Sequence, residues 1–227
     1  MSFAVGWIWL VLLGGAGAAP LGPPLPLDPV LSNIAPPECL WYAAYSGQGA
    51  ADPKSANHTE QLFAEPQVER FLKEVESQIM QAVRRAAGPG REERVLAEHL
   101  PKLAKVVLTR PLAVYVEDVQ LIDGGRQGAD VAAALVLSAG ERRAEVEATI
   151  KDLLALIPPD KPQITTETVA GVQWRRAPTP PNAPAVRFGW KDDYFIVAVG
   201  DKTPATLLER MGGSVPKWLD QIRKEHP

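Results

Sequence analysis

The hydrophobic residues downstream of residue 37 change their spacing several times, and this limits the fold more than any other feature. Short apolar runs predict strands, whereas apolar residues at every third or fourth position predict helices. The first strand is expected at 39–45. The first long helix is expected to begin at Pro66 and to run to about Ala87. A chain with both periods must pack helices against a sheet.

The later segments continue this alternation. A helix around 95–107 should kink or restart at Pro101, because proline lacks the amide proton of an internal helical hydrogen bond. The next two strands flank Asp123-Gly124-Gly125 and should pair antiparallel. A helix over 141–157 follows. The strands predicted after the first are 112–116, 131–137, 164–169, 172–176, 185–190 and 194–199. The predicted terminal helices are 204–211 and 215–224.

This order of elements predicts an α+β fold in which helices cover one face of an antiparallel sheet. Strand, helices, strand, strand, helix, strand is the order of a ferredoxin-like (split βαβ) core, here extended by a C-terminal hairpin and helix. We expect one domain over 38–227. No internal repeat is found that would indicate a solenoid.

The N-terminus is predicted to be a signal peptide over 1–18. Its apolar stretch, Phe3 to Leu13, is too short for a well-anchored membrane span, and small residues precede an expected cleavage after Ala18. Because this region has no Lys or Arg, an uncleaved N-terminal anchor remains the alternative. We expect export to the periplasm or secretion, with no stable membrane span after cleavage.

Residues 19–37 contain seven prolines. Proline fixes the backbone near polyproline II and removes hydrogen-bond donors, so this segment is predicted to be an extended linker without regular helix. A ligand for a proline-recognition domain is the alternative.

The charge balance argues against nucleic-acid binding. The chain has 24 basic and 27 acidic residues, a formal net charge of -3, and it is expected to be exported. The three basic doublets are predicted to form solvated faces or ion pairs. They are Arg84-Arg85, Arg142-Arg143 and Arg175-Arg176.

No motif specifies a reaction. The three histidines, His58, His99 and His226, are far apart in the sequence and neither HExxH nor CxxC occurs, which argues against a metal site. The marks of serine hydrolases, GxSxG and SxxK, are absent. Gly124-Gly125 and Gly212-Gly213 are predicted to be turns, because neither has the context of a phosphate-binding loop. We therefore assign no catalytic, cofactor-binding or metal-binding residue and expect no cofactor.

A few side chains could still carry chemistry. His99 lies on an apolar helical stripe, where a partly buried structural histidine is favoured over a catalytic base. Cys39 is expected to be a small core residue rather than a nucleophile or an interchain disulfide partner. Asp192-Asp193 is expected to be solvated at a hairpin tip. Asn57 fits either a helix cap or an N-glycosylation acceptor.

The large aromatics of the mature chain allow two interpretations. They could fill the core, which we favour, or form a platform that stacks against carbohydrate. The residues are Trp41, Trp174, Trp190 and Trp218.

Several stretches are similar to a family of exported bacterial proteins of unknown function. NHTEQLFAEPQVERFLKEVE, after WYAAYSG, resembles its N-terminal signature, and ADVAAALVLSAG, TVAGVQWRR, AVRFGWKDDYFIVAVG and TPATLLERM resemble its run of sheet and hairpin. The resemblance covers Leu31 to the end and implies no catalytic or ligand-binding residue. Similar proteins often continue into a second half, so we expect a fragment or a short member.

We therefore expect an exported, non-catalytic interaction or structural protein of the cell envelope or periplasm, whose partner is an unidentified envelope or extracellular protein. The alternative is an extracytoplasmic hydrolase with Glu, Asp or His groups that only the fold brings together. Convergent acids in a cleft, or a histidine with a carboxylate partner there, would favour the enzyme, whereas a flat or apolar patch would favour binding.

Overall fold

The computed structural model describes residues 23–86, 90–125, 128–180 and 182–225. The predicted signal peptide and residues 19–22 of the predicted linker lie outside them. The chain divides into two compact units. The helical unit contains Gly47–Arg110, Ala144–Ile157 and the residues up to Leu25, and the sheet unit contains Pro26–Ser46, Pro111–Arg143 and Pro158–Pro227. The single domain predicted over 38–227 stays a prediction.

A seven-stranded sheet forms the sheet unit, in the order β1-β2-β3-β7-β6-β5-β4. All neighbouring strands are antiparallel, including the predicted pair β2 and β3. The strands are β1 Trp41–Tyr45, β2 Leu112–Leu121, β3 Ala129–Ser138, β4 Thr165–Val169, β5 Val172–Ala177, β6 Val186–Lys191 and β7 Tyr194–Val199. β2 and β3 extend beyond their predicted bounds because their pairing continues past a register shift between Val116 and Asp118.

The α+β class is confirmed, but the ferredoxin-like core is not. β1 and β2 pair directly and antiparallel although helices connect them. A split βαβ unit instead inserts one strand between the two strands that its helix connects. The next pair of strands joined through a helix, β3 and β4, have three strands between them.

Seven α-helices are described. They are α1 Pro29–Asn33, α2 His58–Phe63, α3 Pro66–Ala86, α4 Arg91–Thr109, α5 Arg143–Leu154, α6 Thr203–Met211 and α7 Lys217–Glu225. Asn57 caps α2, since its side chain accepts a hydrogen bond from the Thr59 amide at 2.9 Å. α4 continues through Pro101 as one helix, so the predicted restart is wrong.

One face of the sheet forms the core of the sheet unit. Its central residues alternate along the strands with residues of the other face, as the strand period requires. Ile34, the C-cap residue of α1, and Leu207 of α6 are fully buried in the same cluster. The strand residues of the cluster are Ala113, Tyr115, Ala134, Val136, Trp174, Ile196 and Ala198. Helices α1 and α6 therefore cover this face.

The proline-rich segment is not a free linker along its whole length. Pro29–Asn33 is helical, and the Asp28 side chain caps it by accepting a hydrogen bond from the Val30 amide at 2.9 Å. Pro29 is tolerated because the first helical position needs no amide donor. Residues 30–35 contain no proline, and Leu31 and Ile34 are buried. The prediction that this segment excludes regular helix is therefore wrong.

Asp28 also connects α1 to the sheet. The hydroxyl of Tyr194 on β7 donates to its carboxylate, lying 3.1 Å from both oxygens. Burial, together with the charge of Asp28 and this hydrogen bond, raises the pKa of Tyr194 to about 12. The folded protein therefore favours the neutral phenol.

Ile34→Ala tests whether the former linker is part of the core. Removing a fully buried side chain should lower the free energy of unfolding by about 2–5 kcal/mol. Urea unfolding followed by tryptophan fluorescence measures this change. Leu27→Ala is the matched control, because Leu27 is exposed, and it should shift stability by no more than about 0.5 kcal/mol. Equal effects of the two substitutions would show that the segment is only a tether.

Tyr194→Phe tests the contact with Asp28. The folded pKa lies above that of the unfolded chain, so the contribution of this tyrosine to stability is present below pH 10 and is lost as the pH rises towards 12. The free energy of unfolding should fall less steeply over this range in the variant, by at most about 1.4 kcal/mol per pH unit. Denaturant unfolding at several pH values measures the slope, and an unchanged slope would contradict the assignment.

Candidate functional site

The two edges of the sheet differ in how they are protected. On the edge strand β4, Glu167 forms an ion pair with the buried Arg187 of β6 and lies 3.9 Å from Arg176. Arg187 also donates to Asp201 at 3.0 Å and to the carbonyl of Gly200 at 3.1 Å. A charge that points inward from an edge strand prevents another strand from pairing there. β4 is thus a protected edge.

The other edge, β1, lacks such protection. Its sequence, WYAAY, contains neither a charged residue nor a proline. Ala43 and Ala44 are both exposed although successive side chains of a strand point to opposite faces. Exposure on both faces indicates that the backbone edge itself is open to solvent.

The backbone direction of β1 shows which groups face outward. The amide of Leu40 donates to the carbonyl of Val116 on the β2 side, at 2.9 Å. Ser138 of β3 donates to the carbonyl of Pro111, so every second residue from Pro111 onward bonds to β3, whereas Val114 and Val116 bond to β1. Their partners Ala43 and Trp41 direct their amides towards β2, and the amides of Tyr42 and Ala44 therefore point away from β2. An exposed edge of this kind is a template for another extended segment.

Apolar side chains flank this edge. Leu40, just before the strand, is 68% exposed and Trp41 is 48% exposed. Tyr42 packs edge-to-face on Trp218 with their ring centres 5.9 Å apart, and its hydroxyl donates to the carbonyl of Leu31 at 2.8 Å. The start of β1 therefore combines a fixed aromatic pair with two large exposed side chains.

An open groove of about 700 Å³ begins beside this aromatic pair. Trp218 forms part of its wall and is held by a hydrogen bond of 2.8 Å from its indole nitrogen to the carbonyl of Pro36. The Asn33 side chain joins α1 to the turn after α6 by donating to Gly213 at 3.0 Å. The groove is also lined by Ala35, Pro37, Arg210 and Lys217. Its wall is mainly apolar, and Arg210 and Lys217 add basic side chains to it.

A charged pair lies behind the groove. Arg210 on α6 binds both carboxylate oxygens of Glu117, at 2.5 and 3.0 Å, and its guanidinium lies 5.7 Å from the centre of the Tyr115 ring. Burial raises the pKa of Tyr115 well above its ordinary value, against the effect of Arg210. The pair is geometrically specific because it is bidentate.

The same pair affects Cys39. Burial and the negative charge of Glu117 raise the pKa of its thiol, and only Arg210 opposes them. A raised pKa keeps the thiol protonated at neutral pH, and the protonated thiol is a poor nucleophile. The side chain is partly buried and free, which fits the predicted structural role better than catalysis.

His99 is buried in the helical unit, as expected, but its ring is not fully hydrogen-bonded among the described residues, contrary to the structural role that we predicted. It is 8% exposed, and its Nε2 lies 3.5 Å from Asp152 on α5. The Asp152 side chain is mostly exposed, and the Nδ1 of His99 is buried without a hydrogen-bond partner among the described residues. His58 lies at the exposed start of α2, and His226 lies outside the described residues. Within the described part of the chain, no three His, Cys, Asp or Glu residues are grouped as metal ligands would be.

The tryptophans do not form one stacking platform. Trp174 is fully buried on the core face, where Gly189 opposite it leaves room for the ring. Trp190 lies on the other face under the guanidinium of Arg143, 5.0 Å from its centre. The core interpretation is confirmed for Trp174, whereas the exposed Trp41 belongs to the open edge.

The other predicted polar sites are structural. Arg143 donates to the carbonyl of Asp192 at 2.5 Å and lies 3.8 Å from the Asp193 carboxylate, which fixes the exposed hairpin tip. Gly124-Gly125 belongs to a 3₁₀ turn after β2, and Gly212-Gly213 follows α6. The Arg84 side chain and residues 87–89 lie outside the described part.

Comparisons with known proteins give no identification, since no family model, curated protein or solved structure matches this chain. The resemblance to an exported bacterial family stays a prediction. Among the described helices, none has the length and apolar character needed to cross a membrane.

Glu117→Gln tests the electrostatic account of Cys39. Removing the carboxylate should lower the thiol pKa, because the positive charge of Arg210 then acts unopposed. At pH 8 the native wild-type chain should react with iodoacetamide several-fold more slowly than the urea-unfolded chain, and the variant should react faster than wild type. Asp118→Asn, the adjacent change on β2, should leave the rate unchanged. A slower Glu117→Gln variant would contradict this account.

Proposed function

We propose that this protein is an exported, non-catalytic interaction protein of the cell envelope or periplasm that binds an extended segment of a partner protein along β1. The open edge of β1 is the observation that carries this proposal. Binding by strand addition obtains its affinity from main-chain hydrogen bonds and its specificity from the side chains beside them.

The asymmetry of the sheet supports this choice. β4 ends the sheet with the inward Glu167 and its ion pair to Arg187, whereas β1 ends it without a charge. An unprotected edge is a hazard for aggregation unless another segment covers it. A protein that protects one edge and leaves the other open has a surface suited to a partner.

The surroundings of β1 indicate the chemistry of that partner. Leu40 and Trp41 offer apolar contacts beside the added strand, and the groove beside Trp218 can accept one further side chain. The partner segment is therefore extended and uncharged at its centre, with apolar side chains. Exposed apolar surface rimmed by polar groups is typical of protein interaction sites.

The envelope or periplasmic location rests on the sequence of the N-terminus. The apolar stretch from Phe3 to Leu13 and the small residues before Ala19 are typical of a signal peptide. The hydrolase alternative gains no support from the described residues, because their histidine–carboxylate contact, between His99 and Asp152, involves a buried ring rather than an accessible one.

The experiment uses the full chain and a blocked seven-residue peptide that alternates valine and threonine, with a lysine at each end. Amide hydrogen exchange measured by NMR should show that the peptide protects Tyr42 and Ala44, whose amides face outward. Ala44→Pro removes one outward donor without removing a bond to β2, as proline on an open edge permits. It should weaken peptide binding at least tenfold, about 1.4 kcal/mol.

Ala44→Val is the matched control, because it changes the same side chain but keeps the amide. It should bind the peptide as wild type does, and near-ultraviolet circular dichroism should show that both variants are folded. Equal binding by the two variants, protection at β4 in place of β1, or no protection at millimolar peptide would each overturn the proposal.

A further inference from the structure

The open edge of β1 is complementary to itself under a two-fold rotation. Within this strand, Tyr42 and Ala44 direct their main-chain groups away from β2, and Ala43 lies midway between them. An antiparallel copy of β1 centred on Ala43 places Tyr42 opposite Ala44 of the second copy, and Ala44 opposite its Tyr42. Residues paired in this way exchange both of their main-chain hydrogen bonds. Every outward amide and carbonyl of the strand therefore gains a partner.

Other antiparallel registers use fewer of these groups. A shift by one residue would place an outward-facing residue opposite one that is already bonded to β2. A pair centred on Tyr42 would need Leu40 as its second outward residue, but the Leu40 amide donates to β2. A pair centred on Ala44 would need a residue beyond the end of the strand. The register centred on Ala43 is therefore favoured.

The side chains of β1 fit the same register. Trp41, Ala43 and Tyr45 share one face of the sheet, since side chains alternate along a strand. The exposed Trp41 then lies opposite Tyr45 of the second copy, in a pair without main-chain hydrogen bonds, where side chains approach closely and aromatic contacts are stabilising. On the other face, the small side chain of Ala44 leaves room for the ring of Tyr42.

We propose that two copies of this protein pair through antiparallel β1 strands and so continue the sheet across a two-fold axis. This inference rests on the open edge that carries the proposed function, and it adds how that edge is covered when no partner segment is bound. An isologous contact requires a self-complementary surface, which β1 provides. A partner segment has to displace the second copy, because both use the outward groups of Tyr42 and Ala44.

The pairing is closed and weak. It stops at two copies, because the other edge of the sheet is protected by Glu167 and its ion pair to Arg187. β1 has five residues, so the contact is at the lower end of specific interfaces, and we expect a dissociation constant of about 100 µM. Such a dimer covers the edge and still exchanges with a partner segment.

Disulfide trapping in the full chain, with Cys39→Ser as background, tests the register. Ala43→Cys places two thiols opposite each other at the two-fold axis, with Cα atoms about 4.5 Å apart, which a disulfide can span. Oxidised glutathione should therefore convert this variant to a covalent dimer. Ala44→Cys is the matched control. Residue 44 is also exposed, but its two copies lie about 7–8 Å apart, which is too far for a disulfide.

Sedimentation equilibrium of the full wild-type chain should show a reversible monomer–dimer equilibrium. Ala44→Pro removes one donor from each copy and should weaken the dimer by about 30-fold, whereas Ala44→Val keeps the amide and should leave it unchanged. The valine–threonine peptide should shift the wild-type chain towards the monomer, because it occupies the same edge.

The outcomes separate this inference from the proposed function. A chain that is monomeric at about 1 mM, a disulfide that forms at residue 44 as readily as at residue 43, or a dimer that Ala44→Pro leaves intact would each overturn self-pairing. Protection of Tyr42 and Ala44 by the peptide would still support the proposed function in those cases. A dimer that Ala43→Cys traps and that does not respond to the peptide would instead support self-pairing and overturn the proposed function.

Discussion

Burial of one face of the sheet under α1 and α6 is the interaction on which the sheet unit depends. Trp174, Tyr115 and Ile196 lie in that face and are fully buried. Such burial is the main favourable term in folding. Because Ile34 completes this cover, the residues before β1 belong to the folded unit. The position of the open edge follows from this packing, since Tyr42 is held between the carbonyl of Leu31 and the ring of Trp218.

The candidate site is built from main-chain groups more than from reactive side chains. The titratable side chains discussed above already have partners of their own. Glu117 pairs with Arg210, Glu167 pairs with Arg187, and His99 contacts Asp152 inside the helical unit. Among the described residues, the exposed groups of β1 are main-chain amides and apolar side chains. This composition suits recognition of a polypeptide, whereas acid–base or nucleophilic catalysis requires accessible titratable groups.

The sequence predicted most elements but not their arrangement. Hydrophobic spacing located every strand and α3 to α7 within a few residues, because the apolar residues of these segments recur with the period of a strand or a helix. It missed α1, whose single turn is too short to show one and lies among prolines. It also could not give the strand order, because pairing between distant segments such as β3 and β7 depends on tertiary packing. The open edge therefore could not be predicted from the sequence, although the lack of charge in WYAAY is visible there.

The ion cluster around Arg187 has a consequence for how this protein can change over evolutionary time. Its guanidinium is nearly inaccessible to solvent and is neutralised partly by Glu167, the residue that protects β4. Losing that carboxylate alone would leave the buried Arg187 guanidinium without this partner in a poorly hydrated place, at a cost of several kcal/mol. Drift at position 167 is therefore constrained by stability as well as by solubility, and a viable lineage would have to exchange both partners together. Ala43 and Ala44 are exposed and belong to no such ion pair among the described residues, so this constraint leaves β1 free to diversify.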